Sequence, residues 1–195
     1  MQSSEFLDRV FARLATPGNR FRFESWSVPG RPTAEGLGVL PVAVDVDAMV
    51  ARILDVDHYC GNIDHVAESR SLPDPQLSLP EGVRFYQRLK IPMVAELQFV
   101  NAMRDYGERD GWRVIGWSLL KEPTEALNTR QGARFDYNDG AWLLRPDGIG
   151  YALASAPRKK DVGRIKFAVM TKGADATAPL LLENNIKGML RWSAR

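Results

Sequence analysis

The chain has 195 residues, of which 45% are hydrophobic and 26% are charged. These values fit one globular domain, with or without an extension, and exclude a disordered chain. The sequence contains one cysteine, Cys60, and two histidines, His58 and His65. This inventory excludes an internal disulfide, an all-cysteine metal site and a three-histidine metal site. We therefore expect neither a metal nor an organic cofactor.

The sequence gives no sign of a membrane span or a secretion signal. Its longest apolar runs, such as Val39 to Val44, fall far short of the roughly 20 residues that a transmembrane helix needs. The opening residues, Met1 to Glu5, form neither a basic segment nor an apolar one. We therefore expect a cytoplasmic protein.

The net charge is only +2, but basic residues are concentrated towards the C-terminus. From Arg158 onward there are nine lysines and arginines against three acidic residues. Such a segment most often forms a solvated face, and it can also make a weak contact with an anionic membrane surface. The overall charge is too small to indicate a nucleic-acid partner, and we expect none.

The first third of the chain predicts a mixture of helices and strands. Apolar residues recur at helical spacing near the N-terminus, and Asp45 or Asp47 is placed to cap a later helix. The predicted elements are a helix over residues 6–14, a possible strand over 21–25, a strand over 39–46, a helix over 49–54 and a second short helix over 55–61.

The middle of the chain alternates apolar and polar residues with a period of two, which is typical of antiparallel strands with one buried face. The clearest case is residues 83–91, whose odd-numbered positions are apolar apart from Gln87, and Pro92 is expected to turn the chain afterwards. Residues 133–145 contain Asn-Asp-Gly and fit either a bulged strand or a hairpin. The predicted strands cover residues 63–72, 83–91, 97–103, 112–120, 133–145, 149–156 and 164–170.

The chain is predicted to close with an amphipathic helix that begins near Asp175 or Thr177. Pro179 fits the first turn of this helix, where a missing N–H group costs little. Gly173 and Pro179 argue against a longer helix that begins near Asp161. The apolar face of the predicted helix consists of Leu182, Ile186, Met189 and Leu190.

Three stretches of the sequence carry a recognisable family pattern. The first is a strand that enters a helix ending in an aspartate. The second consists of a strand, a proline turn and another strand. The third is a Gly-x-Trp-x-Leu-x-Pro hairpin. They lie at Val42 to Asp55, at Phe85 to Phe99, and at Gly140 to Pro146 followed by Ile149 to Tyr151. Together with the element order, they resemble the helix-grip fold of the START and Bet v 1-like (SRPBCC) superfamily, which includes lipid-transfer domains and polyketide cyclases.

The resemblance implies an α+β fold. A curved antiparallel sheet of about seven strands wraps around the long C-terminal helix, and two short helices follow the first strand. The resemblance covers residues 38–195 as the START-like domain and leaves residues 1–37 as an N-terminal helix and extension.

The same resemblance implies a cavity between the sheet and the last helix that binds or transports a hydrophobic small molecule, such as a lipid or a polyketide-like compound. The alternative is an enzyme of the polyketide cyclase or aromatase type that uses this cavity. The loops over residues 71–82 and 121–132 are the expected rims.

Two amides mark the strands expected to line the cavity. Gln87 and Asn101 each lie on the apolar face of a predicted strand, and a buried amide needs hydrogen-bonding partners. In a cavity such an amide can orient a bound carbonyl or hydroxyl, whereas at a bulge the backbone can satisfy it. The predicted ligand-binding residues are Phe85, Gln87, Leu89, Leu97, Phe99, Asn101, Met103, Trp142, Tyr151, Leu182, Ile186 and Met189.

We assign no catalytic residue from the sequence, because no nucleophile motif is present. In the enzyme alternative, proton transfer would fall to Gln87, Asn101, Tyr59 or His65. The aspartates around the two histidines are more typical of helix ends and turns than of a metal site or a general base.

Overall fold

The computed structural model describes residues 2–91 and 95–194. The helices are α1 (Gln2–Phe11), α2 (Val46–Leu54), α3 (Lys121–Glu125), α4 (Lys159–Val162) and α5 (Arg164–Ser193). The strands are β1 (Arg22–Trp26), β2 (Glu35–Pro41), β3 (Val66–Leu72), β4 (Gly82–Ile91), β5 (Ala95–Arg109), β6 (Trp112–Leu119), β7 (Ala133–Arg145) and β8 (Gly148–Pro157). Pro92, the expected turn between β4 and β5, lies outside the described residues.

The eight strands form one sheet in the order β1-β2-β8-β7-β6-β5-β4-β3, and each neighbouring pair is antiparallel. This arrangement, with the long C-terminal helix, confirms the predicted α+β helix-grip fold, with eight strands rather than about seven. Residues 133–145 form a single bulged strand, since the register between β7 and β8 shifts between Phe135 and Tyr137.

The sheet has a packed core on each face. On the concave face, α2 and α5 pack against the sheet in the larger apolar cluster. On the convex face, Phe6, Leu7 and Val10 of α1 pack against residues such as Trp112 and Leu143. The N-terminal 37 residues therefore supply α1, β1 and the first part of β2 to the same sheet structure.

The strand predicted over residues 39–46 is displaced in the structure. Strand β2 ends at Pro41, and Val46, expected at the end of the strand, begins α2. The reason is local, because Asp45 accepts a hydrogen bond from the Ala48 N–H at 3.1 Å and so starts the helix. The second short helix, expected over residues 55–61, is only a 3₁₀ turn at Val56–His58.

The predicted strand over residues 164–170 is wrong, because these residues are the first two turns of the 30-residue helix α5. The helix also passes through Gly173 and Pro179, which were expected to interrupt it. Proline lacks the N–H that would bond to the carbonyl of residue 175, but Leu182 and Ile186 are fully buried further along and anchor the helix. Among the described residues, no helix is both long enough and apolar enough to cross a membrane.

Candidate ligand-binding cavity

A cavity of about 520 Å³ lies between the concave face of the sheet and α5. Protein cores normally contain few voids larger than a water molecule. The observed volume instead falls within the range of roughly 300–1,000 Å³ that is usual for small-molecule sites. The cavity is therefore the principal candidate for a functional site.

One wall of the cavity is the alternating face of β4 and β5. The antiparallel register places Phe85 opposite Asn101 and Gln87 opposite Phe99. Because alternate residues of a strand point to the same side, these four side chains share one face. Phe85 and Phe99 meet edge to face with their ring centroids 6.3 Å apart. The alternation of apolar and polar residues in the sequence of β4 and β5 thus produces one wall of the cavity.

Three aromatic side chains form another part of the wall, on β6, β7 and β8. The ring centroid of Tyr151 lies 4.4 Å from that of Trp142 and 5.5 Å from that of Trp117. Burial raises the pKa of the Tyr151 phenol, and the Asn185 side chain opposes this shift. Tyr151 therefore stays protonated at neutral pH and presents a neutral, largely apolar surface.

The structure brings most of the predicted binding residues to this cavity. The ten that line it are Phe85, Gln87, Leu89, Leu97, Phe99, Asn101, Met103, Trp142, Tyr151 and Met189. Leu182 and Ile186 do not line it and lie instead in the packed core between α5 and the sheet. The role of all twelve in ligand binding stays a prediction.

The two predicted amides are both buried. Gln87 is 7% exposed and Asn101 is 1% exposed. The Asn101 Oδ1 atom has no hydrogen-bond partner among the described residues, although it is buried. Leaving a buried acceptor unpaired costs about 1–3 kcal/mol. Asn101 is thus a polar group of the cavity wall whose acceptor oxygen has no partner among the described residues.

Two other polar side chains of the wall already have partners. The Tyr59 hydroxyl donates to the backbone carbonyl of Ile53, and burial raises the pKa of Tyr59. The Trp117 indole N–H donates a long hydrogen bond of 3.5 Å to Asn138 Oδ1. These groups shape the cavity, but they are occupied by contacts within the protein.

The mouth of the cavity lies between α5 and the segment that precedes β3. The exposed lining residues mark this mouth: Asp64 and His65 lie on one side, and Val169, Gly173, Thr177 and Leu181 of α5 lie on the other. The expected rims, residues 71–82 and 121–132, contribute no described lining residue, so that prediction is wrong. The loop at 121–132 instead contains α3 and a 3₁₀ turn, and Thr124 of α3 bonds to the backbone of Val100 on β5.

The cavity interior carries no fixed charge among its described lining residues. None of them is a lysine or an arginine, and the ionisable Asp64 and His65 are exposed at the mouth. Burying an unpaired charge is strongly unfavourable. The interior therefore suits an uncharged ligand.

The cluster of histidines and aspartates noted in the sequence lies at the surface, where its side chains have structural roles. His58 Nδ1 lies 2.6 Å from Asp55 Oδ1, and this hydrogen bond raises the pKa of His58. Asp57 accepts hydrogen bonds from the backbone N–H and the hydroxyl of Ser71, which ties the 3₁₀ turn to β3. Among the described residues, no group of three or more His, Cys, Asp or Glu side chains is placed to hold a metal.

Sequence reasoning missed several lining residues, and the causes differ. Phe135 and Asn138 lie on opposite sides of the bulge in β7, which breaks the alternation that identifies a buried face. Met170 and Gly173 were hidden by the incorrect strand and break predicted for that segment. Trp117 could have been found, since it lies two residues after Ile115 and therefore on the same buried face of β6.

Comparison with known proteins supports the fold rather than a particular function. No protein-family model matches the sequence, and no curated protein matches it. Among solved structures, a STAR-related lipid transfer protein from Xanthomonas axonopodis is 19% identical, with a TM-score of 0.72. That match covers 93% of this chain and 98% of the other.

Two further structures are similar over most of their length. Human StAR-related lipid transfer protein 5 is 9% identical with a TM-score of 0.67, covering 97% of this chain and 93% of the other. The Zhui aromatase/cyclase from Streptomyces sp. R1128 is 12% identical with a TM-score of 0.52, covering 90% and 95%. The chain therefore has the helix-grip fold of the START and Bet v 1-like superfamily, as the sequence patterns predict.

Proposed function

We propose that this protein binds or carries an uncharged hydrophobic small molecule, such as a lipid or a polyketide-like compound, in the cavity between the sheet and α5. The observation that carries the proposal is the open cavity of about 520 Å³ with its apolar wall. The similarity in fold between this protein and proteins described as lipid transfer proteins supports the same proposal.

The titration properties of the wall favour a carrier over an enzyme. General acid–base catalysis works best with a group whose pKa lies near the working pH. The amides of Gln87 and Asn101 do not titrate, and burial raises the pKa values of Tyr59 and Tyr151. His65, the remaining candidate for proton transfer, is exposed at the mouth.

The second candidate function is a polyketide cyclase or aromatase. Its supporting observation is the similarity in fold to the Zhui aromatase/cyclase. In such an enzyme the cavity would hold a reactive chain in a folded conformation, and catalysis would come mainly from positioning. Asn101 and Gln87 would orient carbonyl groups of the chain.

One experiment separates the two candidates. The protein is purified without a tag or detergent, and the organic extract of the denatured protein is analysed by mass spectrometry. A carrier should release one hydrophobic compound that the protein rebinds unchanged. Time-dependent conversion of that compound, or of a linear poly-β-ketone added to the protein, would instead support the enzyme.

We further propose that the N-terminal part of α5 contacts an anionic membrane surface. This part presents exposed apolar residues beside exposed cations: Ile165 is 83% exposed and Val169 is 67% exposed, next to Arg164, Lys166 and Lys172. Apolar groups flanked by cations suit the interface of a bilayer that contains anionic lipid. Val169 also borders the cavity mouth, so contact here would bring the mouth close to the bilayer.

Vesicle co-sedimentation tests this contact. The protein should bind vesicles that contain phosphatidylserine more than vesicles of phosphatidylcholine alone, and high salt should weaken this binding. The double variant Ile165→Ser/Lys166→Glu should reduce binding to the vesicles. Lys187→Glu makes the same charge change further along α5, where Lys187 pairs with Glu183 at 2.7 Å, and it should have a smaller effect. Equal binding to both kinds of vesicle would contradict the proposal.

A further inference from the structure

We infer that the ligand carries a hydroxyl group, and that Asn101 accepts the hydrogen bond from this hydroxyl. The inference rests on the proposed function, because it specifies the chemistry of the molecule held in the same cavity. Its basis is the conjunction of three features: an unpaired amide oxygen in the wall, a second amide beside it, and an interior without charged side chains.

The first feature is the unused acceptor. Asn101 borders the cavity, is 1% exposed, and its Oδ1 has no partner among the described residues. The terminal torsion of an asparagine side chain has a broad energy profile. A small rotation of the amide therefore allows its oxygen to meet a ligand donor, which removes the cost of leaving that acceptor unpaired.

The second feature is the position of Gln87. It pairs across the strands with Phe99, whereas Asn101 pairs with Phe85, so the two amides are diagonal neighbours on one face. Diagonal cross-strand neighbours lie about 7–8 Å apart, within reach of a group placed between them. A hydroxyl can donate to one amide and accept from the other, whereas an ether or a ketone can only accept.

The third feature excludes the main alternatives for a polar ligand group. No described lining residue supplies a lysine or arginine to neutralise a carboxylate or a phosphate inside the cavity. A cavity of about 520 Å³ also holds a single chain or a fused ring system more readily than a molecule with two long acyl chains. The ligand class is thus an uncharged, mostly apolar alcohol or phenol.

Three matched probes test this inference by displacement of Nile red: 9-phenanthrol, 9-methoxyphenanthrene and phenanthrene. A purely apolar wall would favour the ether, because the ether buries more apolar surface and no hydroxyl. We expect the opposite order, with the wild-type protein binding 9-phenanthrol about tenfold more tightly than the ether. Asn101→Leu should still bind the three probes but prefer the ether.

The control is Met49→Leu, which makes a conservative change in the same apolar cluster but outside the cavity lining and should keep the preference for 9-phenanthrol. If wild type binds all three probes but binds the ether at least as tightly as the phenol, the inference is overturned and the proposed function stands. If wild type binds Nile red and none of the probes displaces it, the inference is overturned and the proposed function stands, whereas a protein that binds neither dye nor probe overturns both. The wild-type comparison does not depend on whether Asn101→Leu folds.

Discussion

Arg9 of α1 donates two hydrogen bonds, of 2.9 and 2.7 Å, to the carboxylate of Glu35 on β2. The Glu35 side chain is completely buried, and it also accepts hydrogen bonds from Arg31 and from the indole of Trp26. Within the part of the chain that the structure describes, the donors to this carboxylate, Arg9, Trp26 and Arg31, all come from the first 31 residues. The N-terminal segment is thus fixed to the convex face of the sheet by a buried ionic contact as well as by apolar packing.

Arg9→Met should therefore destabilise the protein. It removes a bidentate partner from a buried carboxylate, while Arg31 and Trp26 remain, so we expect a loss of about 2–3 kcal/mol in the free energy of unfolding. Urea denaturation measures this loss. The matched control is Arg22→Met, which breaks a more exposed pair with Glu24 and should cost no more than about 1 kcal/mol. Equal effects of the two variants would contradict this account.

Met189→Trp should fill part of the cavity. Met189 is fully buried and borders the open space, so the added volume should weaken binding of a hydrophobic probe with little loss of melting temperature. The same substitution at Met49, which is buried in the core but does not line the cavity, should overpack the protein. Overpacking of this kind costs about 1–3 kcal/mol.

Measuring both the affinity for Nile red and the melting temperature separates these two outcomes. A large fall in the melting temperature of Met189→Trp, with unchanged binding, would show that Met189 lies in a solid core.

Gly173→Trp should obstruct the mouth of the cavity. Gly173 borders the mouth on α5, and a Cβ atom added there has no heavy atom within 4 Å apart from its own turn of the helix. A tryptophan at this position can therefore lie across the opening without disturbing the core, and it should slow both uptake and release of Nile red severalfold. Stopped-flow fluorescence measures these rates. Ala176→Trp is the control, since Ala176 is exposed on the same helix and does not line the cavity.

How far the sequence predicts this structure depends on whether a local pattern or a long-range contact determines each part. The cavity wall on β4 and β5 follows from local alternation, because a pleated strand sends alternate side chains to one face whatever surrounds it. Gln87 and Asn101 lie on that face for this reason. The course of α5 depends instead on its anchoring by residues such as Ile186, which outweighs the local cost of Gly173 and Pro179.

The boundary between cavity and core could not be obtained from periodicity either. Leu182, Ile186 and Met189 share one face of a helix, yet only Met189 borders the open space. Which of them meets solid packing depends on how the sheet curves beneath the helix. Gly38 of β2 illustrates this, because a Cβ atom added there would lie 3.2 Å from Leu182 of the helix, besides 2.9 Å from the Phe21 ring. That close approach of helix and sheet is a tertiary property.

Asp161 should make the stability of the protein sensitive to acid. Arg134 donates to Asp161 from its backbone N–H at 3.1 Å and from its guanidinium at 2.6 and 2.9 Å. These hydrogen bonds hold the pKa of Asp161 below its ordinary value of 3.8. The stabilisation is complete above the pKa of the unfolded chain and is lost as the pH falls through the lower pKa of the folded state.

Acid unfolding followed by circular dichroism tests this effect. Asp161→Asn should lower stability at neutral pH and flatten the loss of stability below pH of about 4. Asp8→Asn is the control, because its pair with Arg109 is exposed on both sides. An acid-unfolding curve for Asp161→Asn that runs parallel to that of wild type would contradict the assignment.

The central claim, that the cavity between the sheet and α5 holds a hydrophobic ligand, is tested most directly by a methyl NMR titration. The protein is labelled with ¹³C at the methionine methyl groups and titrated with 9-phenanthrol. Met103, Met170 and Met189 border the cavity, whereas Met49 lies in the packed core. We predict saturable shifts at the three cavity methionines and little change at Met49. The claim would be contradicted if the signals of the three cavity methionines stay unchanged at probe concentrations that saturate binding to the protein. Shifts confined to Met49 would contradict it as well.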